Sequence, residues 1–294
     1  MRRAWGYLAV AAAGCLWGTW SLFFRPAARI HPVGGAMQAF VVLAVMLIVI
    51  GPLAIAERTP APRTGRAWLL LLGIGIVDGL NLALFFAAMQ HTSLAIAVLT
   101  HYLSPVLIAV AAPPLLGERM NRSAWLILAV ALSGLALLVE PWRASSAGAL
   151  LGAALGAGSA VFSAANIIAS KYAGRWFGSR QIVAGRLPTM LILQLLWIPA
   201  GGFDVPLAAL WPIALAGLLP GAAASLLFFW GLTQVPASRA SIVTLLEPVV
   251  AVGIGVLVWH EVPGPIAALG ALLVLGAAYF AMRTETEDGR APVA

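Results

Sequence analysis

Charged side chains make up only 9% of the 294 residues and apolar types 62%, with a mean hydropathy of +0.99; a soluble chain carries about 25% charge. So few charges cannot cover a soluble surface, which excludes a cytosolic enzyme, a DNA-binding domain and a disordered regulator. The net charge of +7 and pI near 10.7 come from basic residues scattered singly, without the run or stripe that nucleic acid requires. They read instead as topology signals in membrane loops.

A bilayer core of about 30 Å needs about 20 helical residues. Apolar stretches of that length recur at 5–24, 33–56, 67–90, 93–116, 123–139, 146–169, 182–199, 207–232, 238–259 and 264–282, separated by short breaks bearing charge, Pro or Gly. Ten transmembrane helices are predicted, and the fold class is an all-α integral membrane protein. At the start, Arg2-Arg3, a short apolar run and Ala13-Gly14-Cys15 have the outline of a lipoprotein signal. The run continues through Leu16-Trp17-Gly18-Thr19-Trp20-Ser21-Leu22-Phe23-Phe24 to spanning length, so Cys15 is predicted to be a buried small residue of span one. A single cysteine permits no intrachain disulfide and no cysteine-cluster metal site.

With the N-terminus in the cytoplasm, the inside segments hold Arg2, Arg3, Arg58, Arg63, Arg66, Arg119, Arg122, Lys171, Arg175, Arg180, Arg239, Arg283 and Arg290. The outside loops hold only Arg25, Arg29 and Arg143, and Arg186 lies within span seven. This bias satisfies the positive-inside rule for ten spans with both termini cytoplasmic. Fusing spans three and four across His91-Thr92 would move Arg119, Arg122, Lys171 and Arg175 outside, so ten is preferred to nine and His91 is assigned to a loop.

The sequence matches itself at an offset of 143: Phe85-Phe86 falls on Phe228-Phe229, Leu103 on Leu246, Pro105 on Pro248 and Glu118 on Glu261. Two repeats, 1–143 and 144–294, the second with a short cytoplasmic tail, then hold five spans each. An odd number forces them to enter the membrane in opposite directions, a recurrent plan of secondary transporters. The segment His101-Tyr102-Leu103-Ser104-Pro105 with Leu116-Gly117-Glu118-Arg119, and its counterpart Leu246-Glu247-Pro248 with His260-Glu261, resemble the ends of EamA domains. The resemblance covers nearly the whole chain and implies the ten-helix branch of the drug/metabolite transporter superfamily. Within that branch, Tyr102-Leu103-Ser104-Pro105 and Lys171-Tyr172-Ala173 before Gly178 are similar to the YddG-type aromatic amino acid exporters. One departure is that the first half has no arginine at the start of span two, where the second half has Arg186.

Pro105 and Pro248 fall inside spans four and nine, where each removes a backbone donor and frees the carbonyl four residues earlier, at His101 or Thr244. Such carbonyls are tolerated in a membrane only if satisfied again or facing a cavity, so the two prolines are predicted hinges beside a solute site. Asp78 lies in the middle of span three, near Asn81, and an intramembrane carboxylate points to a ligand, a relay or a polar bond with Arg186 or a histidine. Glu247 matches Ser104 in the other repeat, which favours a structural role near the kink. Glu118 and Glu261 fall at helix ends and read as boundary anchors. His101 is a proton relay or a packing histidine, while Ser163 and Asn166 share one face of span six. Trp17, Trp20, Tyr102, Phe228, Phe229 and Trp230 lie in spans expected near the cavity, whereas Trp5, Trp68, Trp125, Trp142 and Trp211 form the interfacial belt. Gly148, Gly152 and Gly156 read as a close-packing ladder.

The predicted solute-binding set is therefore Trp17, Asp78, Asn81, His101, Tyr102, Ser163, Asn166, Trp230 and Thr244, lining a cavity built from spans 1, 3, 4, 6, 8 and 9. No Gly-rich loop with lysine, Walker motif or zinc-type histidine pair occurs, so no cofactor or metal is expected. The partners are a small-molecule solute and the lipid bilayer, with the chain acting as a monomer. The resemblance implies export of small solutes such as amino acids across a bacterial cytoplasmic membrane. Cationic drugs, other metabolites and lipids are the alternative cargoes. An intramembrane protease would need two carboxylates close enough to share a proton, and neither Asp78 nor Glu247 lies in a recognisable catalytic motif.

Overall fold

The computed structural model describes residues 2–57, 62, 64–118, 120–143 and 149–288; Arg58, Arg63, Arg119, Gly148 and Arg290 lie outside them. The described residues are helical throughout, with short connections and no strand. The first repeat comprises α1 (Arg2–Trp17), α2 (Ser21–Ile30), α3 (Gly35–Ile55), α4 (Gly65–His91), α5 (Leu94–His101), α6 (Ser104–Leu116) and α7 (Arg122–Val139). The second comprises α8 (Ala149–Ala173), α9 (Ser179–Trp197), α10 (Leu207–Ala216), a π-helical segment Gly217–Ala223, α11 (Ala224–Leu232), α12 (Ala237–Val243), α13 (Leu246–Trp259) and α14 (Pro265–Asp288). Pairing α1 with α2, α5 with α6, α10 with α11 and α12 with α13 leaves ten membrane crossings.

Among the described residues nine of these crossings are long and apolar enough to span a membrane. The tenth is α9, whose 19 residues include Arg180, Gln181, Arg186 and Gln194. Its hydropathy is diluted because Arg186 and Gln194 are buried against neighbouring helices and not turned to lipid. Gln194 Nε2 donates to the Gly79 carbonyl of α4 at 3.2 Å.

The repeat offset persists in the element boundaries. Helices α5 and α12 begin at Leu94 and Ala237, and α7 and α14 at Arg122 and Pro265, each pair 143 residues apart. The helix ends before the two glutamates also correspond: Gly117 and His260 both adopt the left-handed conformation, φ 71° and 57°. Glu118 and Glu261 follow these ends, as the boundary reading requires. His91, assigned to a loop, is instead the last residue of α4, because the break that follows is only Thr92-Ser93.

Glycine sets the closest crossings. A Cβ on Gly134 of α7 would stand 2.9 Å from the Gly270 carbonyl of α14, so these helices touch backbone to backbone. Gly152 and Gly156 of α8 face Thr92 and Thr100 with no room for a side chain, as the ladder reading predicts. Cys15 corrects the sequence reading: it is exposed on the bundle surface, because Ala13 and Gly14 of α1, with Gly18 just beyond its end, are the buried residues there. Gly134→Ala is expected to cost about 1–3 kcal/mol through forced separation of α7 and α14. Gly73→Ala, which meets nothing within 4 Å, is expected to stay within about 1 kcal/mol of wild type. Thermal unfolding in detergent distinguishes them.

Candidate functional site

Two spans break near their middles, at matching places. Span four stops at His101 and resumes at Ser104, and span nine stops at Val243 and resumes at Leu246. The prolines cause the breaks but sit within the first turn of the following helices, where a missing N–H costs little. The Thr244 carbonyl is therefore not left without a donor, as its position before Pro248 predicts: it accepts the Glu247 N–H at 3.0 Å. A tighter three-residue turn has replaced the lost helical bond.

The breaks face a cavity of about 440 Å³ between the repeats. Helix α1 closes one side by resting on the second break. A Cβ on Gly14 would lie 3.5 Å from the Thr244 carbonyl, and one on Gly18 would lie 2.7 Å from the Glu247 carbonyl. This Gly14-x-x-x-Gly18 approach seats Trp17 in the wall, tilted against Phe228 with ring centroids 5.1 Å apart.

Of the predicted set, Trp17, Asp78, Asn81, His101, Tyr102, Ser163, Asn166 and Thr244 all line this cavity. Trp230 does not. It is 44% exposed on the outer face of α11, because the 225/228/229 spacing turns Ser225, Phe228 and Phe229 inward and rotates the next residue away. The lining also includes Ala39, Val42, Leu43 and Met46 of α3 and Arg186 and Met190 of α9, so spans two and seven join the six that were predicted. Spans five and ten contribute nothing to it. Trp20, Phe24, Phe85 and Phe86 extend an aromatic wall toward the face opposite the termini.

One hydrogen-bonded chain crosses the site. Arg186 Nη1 meets Asp78 Oδ2 at 3.1 Å and donates to Asn166 Oδ1 at 3.4 Å, and Asn166 Oδ1 also accepts from Ser170 Oγ at 3.1 Å. Asn81 Nδ2 donates to Asp78 Oδ1 at 3.3 Å, and Asn81 Oδ1 accepts from Ser159 Oγ at 2.9 Å. His101 Nδ1 lies 2.7 Å from Ser159 Oγ. Because the Ser159 proton is directed at Asn81, His101 donates through Nδ1. Asp78 is thus held by a cation, the polar bond with Arg186 that was one of the three roles open to it. The Arg186 guanidinium also lies over Phe229, 4.3 Å from the centroid, while its Nε has no acceptor among the described residues.

Glu247, given a structural role near the kink from the sequence, also lines the cavity. It accepts a hydrogen bond from the Tyr102 hydroxyl of the other repeat, and among the described residues it has no ion-pair partner. The repeat-related position, Ser104, also lines the cavity, so only one of the two matching positions carries a carboxylate.

The two ends of the cavity differ. On the face that carries the termini, Glu118 bonds the start of α12, with Oε1 accepting from Ala237 N at 2.8 Å and Oε2 from Ser238 N and Oγ at 3.2 Å. Lys171 binds Glu118 at 2.7 Å and donates to the Val235 carbonyl. On the other face Glu261 pairs with exposed Arg25 at 2.7 Å, and α5 is capped by its own Ser93. A second recess, of about 660 Å³, lies between α6 and α8 and is lined almost entirely by apolar groups such as Leu107, Val110 and Ile168. Val110 and Val161 are largely exposed there, so it is a lipid-facing groove.

Residues 4–140, and again 150–283, match the EamA-like transporter family. The chain belongs to this EamA-like transporter family, and it is a multi-pass membrane protein. An uncharacterized transporter of Archaeoglobus fulgidus is 27% identical over 95% of this chain and 97% of its own. The pseudopaline exporter CntI of Pseudomonas aeruginosa is 27% identical over 74% of this chain and 75% of its own. The uncharacterized transporter YwfM of Bacillus subtilis is 30% identical over 71% and 72%. A solved crystal structure superposes with a TM-score of 0.81 over 95% of this chain and 98% of that one at 20% identity, which shows a common fold.

In this EamA protein the Asp78–Arg186 pair is the most buried charge in the cavity wall. Asp78→Asn or Arg186→Gln alone is expected to cost about 3–5 kcal/mol, since each leaves a charge or its partner unmatched. The double variant is expected to lose much less than the sum, as measured by unfolding in detergent. Additive losses would contradict the pairing.

Proposed function

We propose that this protein is an exporter of small organic solutes, amino acids including aromatic ones, and works by alternating access and not by enzymatic chemistry. The observation that carries the reading is the cavity between two inverted repeats, with a broken helix from each repeat meeting at mid-membrane. Its volume and its mixed lining of aromatic rings, amides and hydroxyls suit a small amphipathic solute. The export direction is supported by the pseudopaline exporter among its relatives. The excess of basic residues on the face that carries the termini supports a cytoplasmic position for both ends, and a bacterial inner membrane as the location.

The unequal ends of the cavity support alternation. Glu118 and Lys171 tie the first repeat to the start of α12 on the termini face, while the repeat-related Glu261 is engaged with Arg25 and not with α5. This is a conformation closed on the cytoplasmic side. Its counterpart is reached when Glu261 takes the start of α5 and Glu118 lets go of α12.

Purified protein in proteoliposomes is expected to carry labelled phenylalanine down its gradient, faster than protein-free vesicles. No flux of any amino acid above that background would refute the reading. Glu118→Gln is expected to loosen the cytoplasmic end: a T244C reporter in a Cys15→Ser background, shielded from an impermeant thiol reagent on that side, becomes reactive to it. An unchanged labelling pattern would show that Glu118 is no part of the gate.

A further inference from the structure

The cavity charges do not balance, and the imbalance has a location. Asp78 is neutralised by Arg186 at 3.1 Å, and His101 is engaged by Ser159. Glu247 alone among the cavity's charged groups has no opposite charge within ion-pair distance among the described residues. The group it does meet, the Tyr102 hydroxyl, occupies one of roughly four acceptor positions on a carboxylate. A carboxylate in a water-poor site is costly unless a cation joins it, and intramembrane acids mark solute or ion paths.

The surroundings of Glu247 suit a cation attached to an apolar body. The Gly18 approach holds α1 against the turn that carries Glu247 and places Trp17 and Phe228 in the same cavity, where ring faces attract ammonium groups. Thr244, one turn away, directs its proton to the Ser241 carbonyl at 2.8 Å, so its oxygen remains an acceptor.

We propose that Glu247 and Tyr102, with the ring of Trp17, form an ammonium subsite, so that the transported solutes are those bearing a positively charged nitrogen beside an apolar or aromatic group. The proposal rests on the reading of this cavity as the solute site and names the solute chemistry within it. A free carboxylate on the solute is permitted but not required, because Glu247 recognises the amine end.

Three labelled probes of one skeleton test it: phenylalanine, its amine phenethylamine and its deaminated acid 3-phenylpropionate. Protein-mediated flux into proteoliposomes, with that of protein-free vesicles subtracted, is measured for each. The wild-type protein is expected to carry the two amines at least about tenfold faster than the acid. Glu247→Gln is expected to remove at least about tenfold of the amine flux, with an unfolding temperature close to that of wild type. Tyr102→Phe is expected to reduce it only a few-fold, about the effect of one lost hydrogen bond. Wild-type flux of 3-phenylpropionate equal to that of the amines would overturn the subsite while leaving the transporter reading intact, as would undiminished amine flux in Glu247→Gln. Absence of flux for all three in wild type would overturn the solute reading itself. Should Glu247→Gln fail to fold, the ranking of the three probes on the wild-type protein still decides the matter.

Discussion

Hydrocarbon offers no hydrogen-bond partner, and every feature of this molecule follows from that constraint. Each backbone N–H and C=O within the membrane must be satisfied internally, so the chain is restricted to helices wherever it meets lipid. Helix breaks are admissible only where protein or a cavity surrounds them. The breaks after His101 and Val243 obey this limit: both lie at the interface of the repeats, and the Thr244 carbonyl recovers a donor through a tighter turn. A cavity between the repeats is therefore where broken helices can exist, and its position at mid-membrane comes with the architecture.

Polar side chains inside the bundle answer the same demand. The chain from His101 through Ser159, Asn81, Asp78 and Arg186 to Asn166 satisfies nearly every member with another. It links α4, α5, α8 and α9, so it fixes one wall of the cavity while leaving Glu247 on α13 to face the solute. Burial of Arg186 beside Asp78 is a structural use of charge; Glu247, tied only to a phenol, is a recognition use. The contrast between the two acids defines the site more sharply than the volume of the cavity does.

Much of this was legible in the sequence because membrane crossings and repeats leave long-range marks. Length and hydropathy located the helices, and one offset aligned Pro105 with Pro248 and Glu118 with Glu261. The residues that were misread failed for local reasons. Trp230 is aromatic and lies next to two lining phenylalanines, yet one residue of helix turns a side chain by about 100°. Cys15 is small and apolar, but its neighbours Gly14 and Gly18 hold the close-packed face. The span containing Arg186 was legible from its apolar length and its place in the count of ten, although Arg186 and Gln194 dilute its hydropathy. Symmetry helped to find the breaks, and it is silent on Glu247, whose counterpart in the other repeat is Ser104. Orientation of α3 toward the cavity had no polar signal to reveal it.

The central claim is that the solute passes through the cavity between the repeats. Its most direct test is protection of a reporter at Ser225, which lines that cavity, in a Cys15→Ser background. Thiol modification of S225C is expected to stop transport, and phenylalanine is expected to slow that modification, while V110C in the lipid-facing recess responds to neither. Full transport by modified S225C, with no protection by solute, would contradict the account.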